Sequence, residues 1–178
     1  MIEKKICMLG AFAVGKTSLV RRFVTSGFSE QYQTTIGVTV DKKTLMVDGT
    51  DLTLVLWDLY GEDEFQKLRR SYLRGSAGYL LVLDGLRRAT LDIALRIQES
   101  VTDELGPIPF VALVNKHDRR AEWELTDHDL AELAQRGWPV LMSSAKTGQG
   151  VEDAFTTLSR ALTQAPQPSS RADHPDGA

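Results

Sequence analysis

Eight residues, Gly10-Ala11-Phe12-Ala13-Val14-Gly15-Lys16-Thr17, constrain this chain more than any others. They fit the string G-x-x-x-x-G-K-[ST], and they stand where that string has a mechanical role. The short apolar run Lys5–Leu9 precedes them and reads as a buried strand. Lys16–Thr25 follows, with Leu19, Val20 and Phe23 at helical spacing. Glycines let the backbone curl so that its N–H groups face phosphate oxygens, and the start of the helix adds positive potential. Within that frame Lys16 would reach the β- and γ-phosphates, and the Thr17 hydroxyl would ligate Mg²⁺. The dinucleotide string G-x-G-x-x-G is absent because Phe12 takes the middle glycine's place, which argues against a nicotinamide or flavin enzyme.

Strand and helix signals alternate along the rest of the chain. Residues 26–37 are polar and turn-rich and read as a loop. Val38–Val47 and Asp51–Asp58 are strands flanking Asp48-Gly49, the tight-hairpin dipeptide. In the second strand Leu52, Leu54 and Leu56 share one face, while Val55 and Trp57 take the other. Residues 59–75 are charged and partly helical. Tyr79–Asp84, Phe110–Asn115 and Val140–Ser143 read as strands. Ala89–Leu105 carries Ile93, Ile97 and Val101 as a helix stripe. Thr126 with Asp129 resembles a capping box opening a helix that Gly137 closes, and Val151, Phe155, Leu158 and Leu162 mark a final helix. This βα alternation with one hairpin predicts an α/β fold, an open, mostly parallel sheet with helices on both faces, whose ligands sit beyond the carboxyl ends of the strands. The domain is expected over residues 1–164. From Ala165 the chain is rich in Pro, Ser and Asp without periodicity, and a disordered tail is expected over 165–178.

Composition excludes some classes. With 178 residues, 42% hydrophobic and 25% charged, the chain suits one soluble domain. A net charge of −3 gives no positive field for nucleic acid, so no nucleic-acid partner is expected. Cys7 is the single cysteine and reads as a buried strand residue. The start, Met1-Ile2-Glu3-Lys4-Lys5, carries neither a signal peptide nor a myristoylation site, and no C-terminal C-a-a-X follows. A cytoplasmic monomer without a lipid anchor is the expectation. His117, His128 and His174 share no metal-ligand spacing.

Two further motifs follow strands. Asp58 ends the hairpin's second strand, and Gly61 lies three residues on. An aspartate there can hold Mg²⁺, and a glycine N–H can approach the γ-phosphate. Asn115-Lys116-His117-Asp118 ends another strand. Its aspartate can accept from guanine's N1 and exocyclic N2 donors, a pair adenine lacks, and unmatched buried polar groups are costly. Lys116 has an apolar stem to lie over the ring, and Asn115 can bond N7 or tie loops together. Ser144-Ala145-Lys146 follows the last strand, where a backbone N–H could meet O6.

In this order the motifs resemble the Ras superfamily of small GTPases over roughly residues 4–164. The Rab branch is the most similar, from Thr35-Ile36-Gly37-Val38, Leu56-Trp57-Asp58 and Ser71-Tyr72-Leu73-Arg74-Gly75. The resemblance implies a six-stranded P-loop G domain that binds GTP or GDP with Mg²⁺ as cofactor and acts as a switch. It implies nucleotide contacts from Gly10, Ala13, Val14, Gly15, Lys16, Thr17, Ser18, Phe28, Thr35, Gly61, Asn115, Lys116, Asp118, Ser144, Ala145 and Lys146. Metal ligation falls to Thr17, Thr35 and Asp58, and catalysis to Lys16, Thr35, Gly61 and residue 62. Residues 29–40 and 59–75 would be switches I and II, binding an effector protein. Trp57 and Tyr72 match an effector-facing patch in Rabs, where Val40 replaces the usual phenylalanine; core packing is the alternative for them.

Three departures stand out. The family's Asp-Thr-Ala-Gly-Gln reads Asp58-Leu59-Tyr60-Gly61-Glu62. An ionised Glu62 can accept from water but cannot donate to the transition state, and it brings negative charge toward a phosphoryl group, so slow hydrolysis is expected unless Glu62 faces solvent. Phe12 should crowd an incoming arginine finger; Arg69, Arg70 and Arg74 flank switch II as in-chain substitutes or as solvated charges. The missing lipidation signal makes the chain similar to unlipidated prokaryotic members, some of which use Roadblock-type activating or exchange proteins. A non-hydrolysing GTP/GDP-binding scaffold is the alternative function. A P-loop kinase is disfavoured by Asn115–Asp118 and by the lack of an arginine-rich lid.

Overall fold

The structure, a computed structural model, describes residues 2–25, 30–35, 37–59 and 70–164, with 30–35 and 70 described by backbone alone. The tail from Ala165 therefore lies outside the described residues.

The strands are β1 (Ile2–Gly10), β2 (Glu30–Thr35), β3 (Val38–Val47), β4 (Thr50–Leu59), β5 (Gly78–Asp84), β6 (Phe110–Asn115) and β7 (Val140–Met142). The helices are α1 (Lys16–Val24), α2 (Arg70–Leu73), α3 (Ala89–Leu105), α4 (Asp127–Gln135) and α5 (Val151–Gln164), with a 3-10 helix over His117–Glu122. The sheet order is β2-β3-β4-β1-β5-β6-β7. From β4 to β7 all neighbours run parallel, and β3 pairs antiparallel with β4.

The expected mixed α/β architecture is present, with one addition. Residues 26–37 read as a loop, yet Glu30–Thr35 forms an edge strand antiparallel to β3, with Tyr32 opposite Val40 and a register shift between Gln33 and Thr35. The described residues thus make seven strands where six were anticipated. An edge strand needs a partner on one side only, so a polar sequence without apolar alternation can occupy it.

Why the apolar runs are continuous is plain from the layers. Alternate residues of β1 face opposite ways: Ile6 and Met8 pack with α1 and α5, Cys7 and Leu9 with α3 and α4. Leu52, Leu54 and Leu56 are fully buried on the α1/α5 side, as their spacing implies, where Phe23 and Phe155 stack with ring centroids 3.8 Å apart. The Asp48-Gly49 turn has positive φ at both residues, 48° and 81°, the geometry of a two-residue hairpin. Thr126 and Asp129 form the anticipated capping box, and Gly137 takes φ 79° just past α4. Among the described residues no helix is long and apolar enough to cross a membrane.

Candidate functional site

Parallel pairing brings several strand ends to one crest. Asp84 is in register with Asn115, Gly10 with Val82, and Met8 with Asp58. The loop from Gly10 to Thr17 rises from this crest into α1. Both of its glycines are required by space as well as by conformation. A Cβ on Gly10 (φ 148°) would stand 2.3 Å from the Val82 carbonyl oxygen, and one on Gly15 (φ 106°) 2.3 Å from Asn115 Nδ2. Ala13 also holds a left-handed φ of 58°, unusual for a residue with a Cβ.

Lys16 is buried and folds back over the loop, its Nζ donating to the carbonyls of Gly10 at 3.2 Å and Ala11 at 3.0 Å. Thr17 Oγ1 donates to Asp58 Oδ2 at 2.5 Å. Asp58 is 1% exposed, and its other oxygen, Oδ1, has no hydrogen-bond partner among the described residues. Burial pushes the Asp58 carboxyl up, against the Thr17 hydrogen bond and the charges of Lys16 and Arg21. A hydroxyl and an orphaned carboxylate oxygen are hard donors that suit Mg²⁺. No cluster of three His, Cys, Asp or Glu side chains able to hold a metal occurs among the described residues. The pair therefore fits an ion that keeps water and phosphate oxygens as its remaining ligands.

A second polar cluster lies beside the loop. Asn115 donates from Nδ2 to the Val14 carbonyl at 3.0 Å, while its Oδ1 accepts from Ser143 Oγ at 3.2 Å and Ala145 N at 3.1 Å. Lys116, at φ 68°, donates to Asp84 Oδ2 at 2.7 Å and reaches the Ala13 carbonyl at 3.5 Å. Asp118 is exposed, accepts from Ser144 Oγ at 2.7 Å, and is held by that bond below the usual carboxylate range. An exposed, ionised acceptor beside a backbone turn can read a base with adjacent N–H donors. Lys146 is exposed and Ser18 lies on the surface of α1.

The site residues identified in the sequence thus fall into two groups. Gly10, Ala13, Val14, Gly15, Lys16, Thr17, Asp58, Asn115, Lys116, Asp118, Ser144 and Ala145 surround one crest. Phe28, Gly61 and Glu62 lie outside the described residues, as does Arg69. Thr35 is described only as the register partner of Val38. Val40 is buried opposite Trp57, and Lys5 Nζ sits 3.8 Å from the half-buried Trp57 ring while donating to the Tyr72 and Arg74 carbonyls.

The sequence profile of the Ras family matches residues 5–164. The chain belongs to the Ras family. Its similar relatives are Rab proteins. The Ras-related protein Rab11D of Lotus japonicus is 35% identical over 162 residues, covering 90% of this chain and 73% of its own length. The Ras-related protein Rab-7b of Mus musculus is 32% identical over 172 residues, covering 90% and 83%. The human Ras-related protein Rab-4B is 32% identical over 160 residues, covering 89% and 75%. This chain is accordingly a Rab-like small GTPase, a GTP-binding molecular switch with GTPase activity.

Three residues of this GTPase that no motif points to tie the site together. Arg22, on α1, donates to the carbonyls of Ala145, at 2.9 Å, and Lys146. Asp84 is fully buried and gathers Lys116, Arg87 and the Leu86 N–H. Burial raises the Asp84 carboxyl, but these hydrogen bonds outweigh it and hold it below the usual range. Arg87 joins Asp84 to the Phe12 carbonyl. The one available sequence signal was Asp84 itself, a charged residue closing a wholly apolar strand.

Proposed function

We propose that GTP or GDP lies along the crest, with its phosphates in the Gly10–Thr17 loop and its guanine between Lys116 and Ser144–Lys146. What supports this most is the direct tie between the two clusters, the Asn115–Val14 hydrogen bond. In this reading the loop N–H groups and Lys16 hold the β- and γ-phosphates. Asp118 accepts from guanine N1 and N2, Lys116 covers one face of the base, and Phe28 covers it from the side. Thr17, Asp58 and Thr35 would hold Mg²⁺, which when bound offsets negative charge on the phosphate oxygens. Lys16 exchanges its carbonyl partners for phosphate oxygens, and Gly61 gives its N–H to the γ-phosphate. Water attacks the γ-phosphorus, the bond from that phosphorus to the β–γ bridging oxygen breaks, and GDP and inorganic phosphate leave as products.

Hydrolysis is slow in this reading, because Glu62 supplies no donor to the transition state. Phe12, which is 57% exposed at the loop, narrows the approach for an arginine from a partner. Both features also favour a second reading, a scaffold that holds GTP without turning it over. Effectors bind through switches I and II. The activating or exchange protein, for which a Roadblock-type partner is the model, acts without threading an arginine past Phe12. The protein works as a cytoplasmic monomer.

Single-turnover hydrolysis of GTP by the purified, Mg²⁺-loaded protein tests this, with the retained nucleotide identified after extraction. Slow conversion to GDP supports the switch. GTP kept intact over many hours favours the scaffold, and failure to retain any guanine nucleotide sinks both.

A further inference from the structure

Resting on the nucleotide placement above, we propose that Arg87 is a positioning residue for GTP hydrolysis: its guanidinium, braced on Asp84, fixes the peptide plane that aims the Ala13 N–H into the phosphate loop. Arg87 Nη2 donates to the Phe12 carbonyl oxygen at 2.6 Å, and Arg87 Nε to Asp84 Oδ2 at 2.9 Å. The planar fork of a guanidinium can hold two acceptors in fixed relation, which a flexible cation cannot.

The brace is itself immobilised. Asp84 is fully buried, accepts from Lys116 Nζ at 2.7 Å through the same oxygen, and accepts from the Leu86 N–H at 2.9 Å through the other. The Arg87 main chain is held as well, its N–H on the Asp84 carbonyl at 3.0 Å and its carbonyl on Thr90 Oγ1 at 2.8 Å. Arg87 therefore reaches the loop from a rigid platform at the end of β5.

What it holds there matters because a trans peptide is planar. The Phe12 C=O and the Ala13 N–H belong to one plane and point in opposite directions. Fixing the carbonyl outward on Arg87 fixes the N–H inward. Ala13 needs the help, since its φ of 58° is a conformation that a side chain with a Cβ disfavours. The plane two peptides on is held the same way, with Asn115 on the Val14 carbonyl aiming the Gly15 N–H. Arg87 extends that arrangement two peptides further toward the tip, from a residue outside the phosphate and base motifs.

The test compares wild type, Arg87→Ala and Arg87→Lys as full chains loaded with Mg²⁺ and GDP, and then with GTP. The readouts are the Ala13 amide resonance, the ³¹P resonances of bound nucleotide, the melting temperature and the single-turnover rate. Arg87→Ala is expected to move the Ala13 amide and the β-phosphate resonance and to slow hydrolysis about fivefold to tenfold, the scale of one ordinary hydrogen bond's net contribution. Arg87→Lys should fall between, and it decides the matter if the alanine variant does not fold. An Arg87 that serves stability alone would lower the melting temperature and leave both resonances and the rate in place, which overturns the assignment. Wild type that retains no guanine nucleotide overturns the underlying reading instead.

Discussion

Asn115 and Val14 stand 101 positions apart in sequence and 3.0 Å apart in space, amide nitrogen to carbonyl oxygen. The same nitrogen would lie 2.3 Å from a Cβ on Gly15. Gly15→Ala should therefore destabilise the protein twice over, by a strained φ and by collision with a side chain already committed to Val14, at about 2–4 kcal/mol together. Asn115→Ala removes the collision but not the strain. Denaturant melts of both single variants and the double variant should be non-additive, the double being less damaged than the sum. Additive losses would mean the two residues do not meet.

In the proposed base site the ionised Asp118 carboxylate would match guanine's two donors and reject a base with an acceptor at position 2. Asp118→Asn replaces one acceptor with a donor. Competition binding should show guanine nucleotides weakened by about tenfold or more and xanthine nucleotides strengthened, as expected when a base donor meets a donor. Equal weakening of both would remove Asp118 from base reading.

These two sites were legible from the chain because their chemistry fixes residue types at fixed spacings. A tight turn around phosphate needs Gly10 and Gly15, and a following helix needs Lys16 and Thr17 at its start. Strand β2 was not legible, because Glu30–Thr35 carries no apolar alternation and an edge position asks for none. Arg22 and Arg87 were hidden for a different reason. Both act on main-chain carbonyls, Arg22 across 123 and 124 positions and Arg87 across 75. A carbonyl is common to every residue, so neither end of such a contact leaves a mark in the sequence.

In the proposed site the orphaned Asp58 oxygen is a ligand of Mg²⁺. Removing divalent metal with a chelator should speed GDP release in wild type. Asp58→Ala should abolish the Mg²⁺-dependent rise in melting temperature, since a ligand stabilises only the state that binds it. A rise preserved in Asp58→Ala would place the metal elsewhere.

In the proposed mechanism Glu62→Gln supplies the side-chain donor that a glutamate lacks. Single-turnover GTP hydrolysis should quicken by about tenfold or more, within the range set by one donor aimed at developing charge. An unchanged rate would place Glu62 away from the chemistry.

Acid should reveal the Asp84 network. Burial opposes the charge of this carboxylate, yet Lys116 and Arg87 keep its pKa below the ordinary 3.8. A depressed folded value means the carboxylate stabilises the fold above the unfolded pKa. That contribution is lost as pH falls through the folded value. Asp84→Asn should cost about 2–4 kcal/mol near neutrality, because two cations lose their shared partner, and should flatten the stability profile below about pH 4. Stability measured by urea unfolding at stepped pH reads both effects, and a parallel, undiminished acid slope in the variant would assign the loss to other carboxylates.

From Gly10 to Val14 every carbonyl of the phosphate loop accepts a side-chain donor: Lys16 serves Gly10 and Ala11, Arg87 serves Phe12, Lys116 reaches Ala13, and Asn115 serves Val14. A loop shaped through its carbonyls keeps its curvature whatever side chain it displays at its exposed tip. Phe12, exposed at the tip, is thereby released from the duty of recognition and open to evolutionary drift. A phenylalanine can settle at the tip without spoiling the cradle beneath it. What such a substitution changes is which other molecules can approach, so the same scaffold can be handed from one regulator to another by altering a residue that the ligand itself never reads.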